Sequence, residues 1–211
     1  MGIADPKPPA PQYLPASDSA LLVRFGDEIS VANNRRVIAL FRYLHQSSPP
    51  WLQNLHPAYS SLLIDFHPEK VTPAEVEAWA RTHPDTHFVP IGKRVDIPVR
   101  YNGPDLPFVA ETHRLTPAQV IELHSGAEYQ VAFLGFAPGF AYLLGLPPQL
   151  ATPRLDRPRP QVPAGSVGIA GHQTGIYPAV SPGGWRLLGE TSLELHPEWV
   201  MPGDRVRFIP I

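Results

Sequence analysis

Residues 165–190 read GSVGIAGHQTGIYPAVSPGGWRLLGE. The two ends of this run, GSVGIAG and WRLLGE, are short apolar segments bounded by glycine, the pattern of brief strands. The middle, GHQTGIYPAVSPGGW at 171–185, holds five glycines or alanines and two prolines. That density breaks any helix, and the segment carries more polar tips than an ordinary turn: His172, Gln173, Thr174, Tyr177 and Ser181, with Trp185 at its end. It reads as a long loop between short strands, and so sets this part of the chain in an all-β context.

Working outward, no helical period longer than about two turns survives beyond residue 127. YQVAFLGF (129–136) and DRVRFIPI (204–211) add further short strands, and Gly/Pro loops divide them. Many short strands with frequent turn signals indicate a β-barrel or sandwich. On the N-terminal side, RVDIPVRY (94–101) puts Val95, Ile97, Val99 and Tyr101 on one face, NGPDLP (102–107) is a turn-rich break, and TPAQVIELHSG (116–126) has a helix start. Thr116 is the cap, Pro117 takes the first turn, Gln119 completes a capping box and Gly126 is the stop. A β-domain over 93–211 follows.

Before residue 93 the pattern differs. ALLVRFG (20–26) and SSLLIDF (60–66) alternate as strands, and DEISVANNRRVIALFRYLHQ (27–46) spaces Val37, Leu40, Phe41 and Leu44 as an amphipathic helix. TPAEVEAWART (72–82) starts with Thr72, Pro73 and Glu75, a second capping box, and HFVPI (87–91) supplies another strand. Strand–helix–strand–helix–strand over 18–92 suggests a small α/β sandwich of the split βαβ kind. Residues 1–17 read as a flexible Pro-rich tail.

Composition excludes several classes. The 211 residues carry a formal charge of −2, with no basic excess to meet a nucleic-acid backbone. No run approaches the roughly 20 apolar residues that span a bilayer, and the first residues lack the apolar core of a secretory signal. The absence of cysteine removes disulfides, thiolate zinc sites and a cysteine nucleophile, and fits a cytoplasmic setting. The nine histidines show no metal-ligand spacing, so no metal is expected. GxSxG, Walker A and GxGxxG motifs are all absent.

Two segments are candidates for chemistry. FLGFAPGFAYLLGL (133–146) sets Phe136, Phe140 and Tyr142 among glycines, either as a cover for a barrel end or as the apolar wall of a small-molecule pocket. In 171–185, Gln173 offers both donor and acceptor and so matches an amide edge, Thr174, Tyr177 and Ser181 add hydroxyls, and SPGGW can present consecutive N–H groups as an oxyanion nest. A purely structural loop that satisfies its own backbone is the other reading. His172 is an acid–base candidate or a bystander. Arg154, Arg157 and Arg159 suit a carboxylate or simply face solvent.

FLGFAPGFAYLLGL, VPAGSVGIAGHQTGIYP, SPGGWRLLGET and the final PGDRVRFIPI closely resemble the KipI / allophanate hydrolase subunit 1 family, over roughly 18–211, with IPVRYNGPDLPFVAE matching in order. His172 departs from the small residue common at that position. The resemblance implies an α+β protein: a ferredoxin-like N-terminal domain and a cyclophilin-like β-barrel C-terminal domain. It implies one component of an ATP-dependent amidohydrolase that opens 5-oxoproline to glutamate. The implied partners are a LamB/YcsF-like protein, the A component of such complexes, and a KipA-like protein, the C component. With this substrate class, Phe136, Phe140, Arg154, Arg159, Gln173, Thr174, Tyr177, Ser181 and Trp185 are the expected substrate-binding residues, and Gln173, Tyr177 and His172 the catalytic candidates. An inhibitor of a sporulation-type histidine kinase and a component of urea or allophanate metabolism are the alternatives within the family.

Overall fold

The computed structural model describes residues 9–82 and 92–211. The chain divides into two compact units, Met1–Val89 and Pro90–Ile211.

In the first unit, β1 (Gln12–Ser17), β2 (Ala20–Arg24), β3 (Leu52–Pro57) and β4 (Ser61–Phe66) form an antiparallel sheet in the order β1-β2-β4-β3, with α1 (Val31–Ser47) and α2 (Pro73–Arg81). The alternation of β2 and β4 buries Leu21, Val23, Leu62, Ile64 and Phe66 against Val37, Leu40 and Leu44 of α1 and Val76 and Ala80 of α2. Burial of each large aliphatic side chain contributes about 1.5–3 kcal/mol. The capping box of α2 forms as expected: Thr72 Oγ1 accepts from the Glu75 N–H, and Glu75 Oε2 accepts from the Thr72 N–H at 2.8 Å.

Gln12–Ser17 is not part of a tail; it pairs with β2 through the register Gln12↔Arg24 to Ser17↔Ala20. Its proline and mostly exposed side chains suit an edge strand, which sequence alternation does not reveal. The strand expected at HFVPI lies outside the described residues. The described elements do not by themselves make up the ferredoxin-like arrangement: β2-α1-β3-β4-α2 supplies five of its six elements, and β1 holds the edge beside β2.

The second unit contains β5 (Arg94–Val99), α3 (Leu106–Thr112), α4 (Pro117–Gly126), β6 (Tyr129–Leu134), β7 (Ala141–Leu144), β8 (Arg159–Val162), β9 (Ser166–Ala170), β10 (Gln173–Ile176), β11 (Ser181–Gly183), β12 (Arg186–Glu190) and β13 (Arg205–Pro210). Seven strands form one sheet in the order β12-β9-β10-β7-β6-β13-β5, in which only β13 and β5 run parallel. Its two edges meet just past β5: Arg100 and Glu190 exchange two backbone hydrogen bonds of 2.9 Å. The sheet is thus a nearly closed barrel, consistent with the cyclophilin-like expectation. β8 and β11 form a separate two-stranded ribbon.

Inward-facing side chains fill the barrel, among them Ile97, Val131, Leu143, Ile169, Ile176, Val206 and Phe208. One polar chain runs through this core. The Thr174 hydroxyl donates to the Gly168 carbonyl at 3.0 Å, so it accepts from His124 Nε2 at 2.9 Å, and His124 Nδ1 in turn accepts from the Tyr101 hydroxyl at 2.8 Å. Every polar atom on this path is satisfied, as burial requires. Burial holds the His124 pKa down at about 3.

That depression has a measurable consequence. In the unfolded chain a histidine binds its proton near pH 6.5, whereas the folded barrel refuses it until about pH 3. The contribution is complete above the unfolded value and is lost as pH falls from about 6.5 toward 3, by up to about 1.4 kcal/mol per unit. Melting temperature should therefore fall on acidification through this window, and His124→Gln should flatten that part of the profile. Parallel wild-type and variant slopes between pH 6.5 and 4 would contradict the assignment.

Candidate functional site

The outer face of the barrel carries a candidate site. On β10, Thr174 and Ile176 point inward, so Gln173, Gly175 and Tyr177 fall on the outer face by the two-residue period of a strand. Register brings Ala170 of β9 beside Gln173, Gly168 beside Gly175, and Leu187 of β12 beside Gly168. Phe140, Val162, Ala170, Tyr177, Trp185 and Leu187 form a cluster of their own there, separate from the barrel core, with Tyr142 packed on it.

Gly175 explains how the cluster sits so close to the sheet. A Cβ at this position would lie 3.1 Å from the Trp185 ring and 3.2 Å from that of Phe140. Phe140 meets Tyr177, Trp185 and Tyr142 edge-on, with centroids 4.9–5.4 Å apart, the geometry favoured by the ring quadrupoles. Phe136 leans on Phe140 and Tyr177 from above, 62% exposed, with its backbone in the left-handed region at φ 70°. A bulky residue held there stores local strain, a feature that gathers at functional loops.

These rings line a cleft of about 90 Å³ together with Arg154, Gly183 and Gly184. The Tyr177 hydroxyl faces Gly183, where a Cβ would come within 2.7 Å of the tyrosine ring. Burial raises the Tyr177 pKa, opposed in part by the Trp185 N–H and by the Arg154 and Arg159 guanidiniums. The Tyr142 hydroxyl is likewise raised by burial, with Arg154 opposing. Both phenols are therefore neutral donors at physiological pH.

An ionic clamp holds the far side of Trp185. Asp105, at the start of α3, accepts from Arg159 Nη2 at 2.9 and 2.8 Å through its two oxygens and from the Leu187 N–H at 2.7 Å. Arg159 Nη1 also donates to the Trp185 carbonyl at 3.2 Å. One buried carboxylate thus ties α3, β8 and the Trp185–Leu187 backbone together.

The structure gathers Phe136, Phe140, Arg154, Tyr177 and Trp185 at one cleft. The other expected residues lie elsewhere. Thr174 is fully buried and bonded to His124 inside the barrel. Arg159 is committed to Asp105. Ser181 opens β11 and pairs with Val162, which takes the SPG backbone into a ribbon rather than a nest. His172 is exposed at the turn between β9 and β10. Gln173 shares the outer face with Tyr177, two positions before Gly175, without lining the cleft. The 171–185 run is therefore not one loop, since it contains β10 and β11. Sequence reasoning misses Asp105, and places Tyr142 only in the candidate aromatic wall. Asp105 stands in an apparent turn, and the only signal at Tyr142 is its place in the aromatic segment.

The chain matches a known family. The model for the carboxyltransferase domain, subdomain C and D, fits residues 11–199, and the chain belongs to that family. Within it, the chain is 39% identical over 216 residues to the B subunit of 5-oxoprolinase from Bacillus subtilis (strain 168), covering 92% of this chain and 90% of that protein. It is 40% identical to the B subunit of 5-oxoprolinase from Escherichia coli O157:H7, with 92% and 93% covered. Among solved structures it is similar to TTHA0988, with a TM-score of 0.83 and 40% identity over 91% of this chain; it spans 40% of the TTHA0988 chain.

Proposed function

We propose that this chain is the B subunit of a 5-oxoprolinase complex that hydrolyses 5-oxoproline to glutamate at the expense of ATP, and that the outer cleft of the barrel is where the small cyclic amide meets it. The observation that carries the reading is similarity along nearly the whole length of proteins named as the B subunit of 5-oxoprolinase. The cleft suits the substrate class. A lactam ring is flat, with one donor and one acceptor on its amide edge. Phe140 and Trp185 offer apolar surface to the ring, and Tyr142 and Tyr177 offer hydroxyls to its oxygens.

The sequence carries no Walker A or GxGxxG nucleotide motif. Phosphate usually sits at a free helix N-terminus, but α1, α2 and α4 are closed by the side chains of Ser30, Thr72 and Thr116. At α3 the cap residue Asp105 makes no side-chain capping bond; its carboxylate is bonded to Arg159 and the Leu187 N–H instead. In this reading the nucleotide site is shared with, or lies on, a partner, a KipA-like or a LamB/YcsF-like protein. The test is reconstitution: the purified chain alone should release no glutamate from 5-oxoproline with ATP, and the chain with both partners should. Turnover by the isolated chain, or undiminished turnover by the two partners without it, would refute the assignment.

A further inference from the structure

Arg154 stands at the mouth of the cleft with no carboxylate partner among the described residues, whereas Arg159 and Arg186 both approach Asp105. Its position is fixed rather than incidental. The next residue, Leu155, donates its N–H to the Gly184 carbonyl at 2.7 Å, and Thr152 bridges to Gly171. Two backbone ties thus hold the 152–155 segment beside the cleft rim, and the guanidinium charge is felt at both the Tyr142 and the Tyr177 hydroxyl.

We infer that Arg154 is the seat for the carboxylate of a small, flat, anionic ring compound whose face lies on Phe140 and Trp185. This deepens the proposed function, on which it rests for the identity of the ring. A planar guanidinium binds carboxylate through two parallel N–H bonds. Tyr142 and Tyr177, both kept neutral, are placed to donate to oxygens on the same edge. The cleft therefore combines an apolar floor, two phenolic donors and one uncompensated cation, a set that selects an acid over the corresponding neutral lactam.

The test is ligand-observed NMR titration of the full-length chain with 5-oxoproline and with 2-pyrrolidinone, the same ring without its carboxylate. Wild type should bind 5-oxoproline more tightly than 2-pyrrolidinone. Arg154→Gln should weaken 5-oxoproline by about tenfold or more, the usual scale of a lost charged hydrogen bond, and leave 2-pyrrolidinone unchanged. Equal affinity of wild type and Arg154→Gln for 5-oxoproline would overturn the seat, as would failure of wild type to bind it or equal binding of the two ligands. Binding through Arg154 alongside an inactive reconstituted complex would instead remove the 5-oxoprolinase reading and leave the anion seat standing.

Discussion

Asp105→Ala is expected to lower the melting temperature by roughly 10 °C. The carboxylate serves two oxygen-to-guanidinium bonds and one backbone N–H, all at 2.9 Å or less. Removing it leaves the Arg159 charge and the Leu187 N–H without their acceptor in a largely dry environment. Breaking a buried pair from one side costs about 3–5 kcal/mol. Arg159 keeps 26% exposure, so water recovers part of the loss and the lower end of the range, about 3 kcal/mol, applies. Asp105→Asn keeps an acceptor for Leu187 but loses the charge, and should cost less. Arg159→Lys loses the two-pronged geometry and should fall between wild type and Asp105→Ala. Thermal unfolding followed by circular dichroism checks the order. An Asp105→Ala protein melting within about two or three degrees of wild type would show that the clamp contributes little.

What is legible in the sequence is local. The capping boxes at Thr72 and Thr116 depend on residues three apart, and both form. The alternation of β2 and β4 reports burial directly. The clamp is invisible because its members lie 54 positions apart and neither belongs to a motif. Strand β10 is hidden for a different reason. Gly175 reads as a bend, yet it lies within a paired strand and is small because two aromatic rings rest on it. Thr174, one residue away, reads with the polar tips of a loop. Once the strand is recognised, the period of two sends Thr174 inward to His124 and keeps Gln173 and Tyr177 on the outer face. The choice of residue types near the cleft is therefore readable, whereas their sorting into floor, rim, clamp and core requires the register.

A second large effect is expected at Gly183. A methyl group there would come within 2.7 Å of Tyr177 Cε1 and Cζ, and the tyrosine is almost fully buried between Phe140 and the ribbon. Gly183→Ala must therefore displace the ring, separating its hydroxyl from the Trp185 N–H and narrowing the cleft from within. Misplacing a binding group by about 1 Å is enough to cost on the order of a hundredfold in rate. Gly126→Ala is the matched control, because it lies at the end of α4 with no atom outside its own helix and chain neighbours within 4 Å of the added methyl. The decisive measurement is kcat/KM for ATP-dependent glutamate release by the reconstituted complex carrying each variant, with folding of each chain confirmed by its melting curve. A drop of about a hundredfold for Gly183→Ala, with Gly126→Ala at the wild-type value, is the predicted result; a folded Gly183→Ala chain that supports wild-type turnover would contradict the placement of the substrate at this cleft.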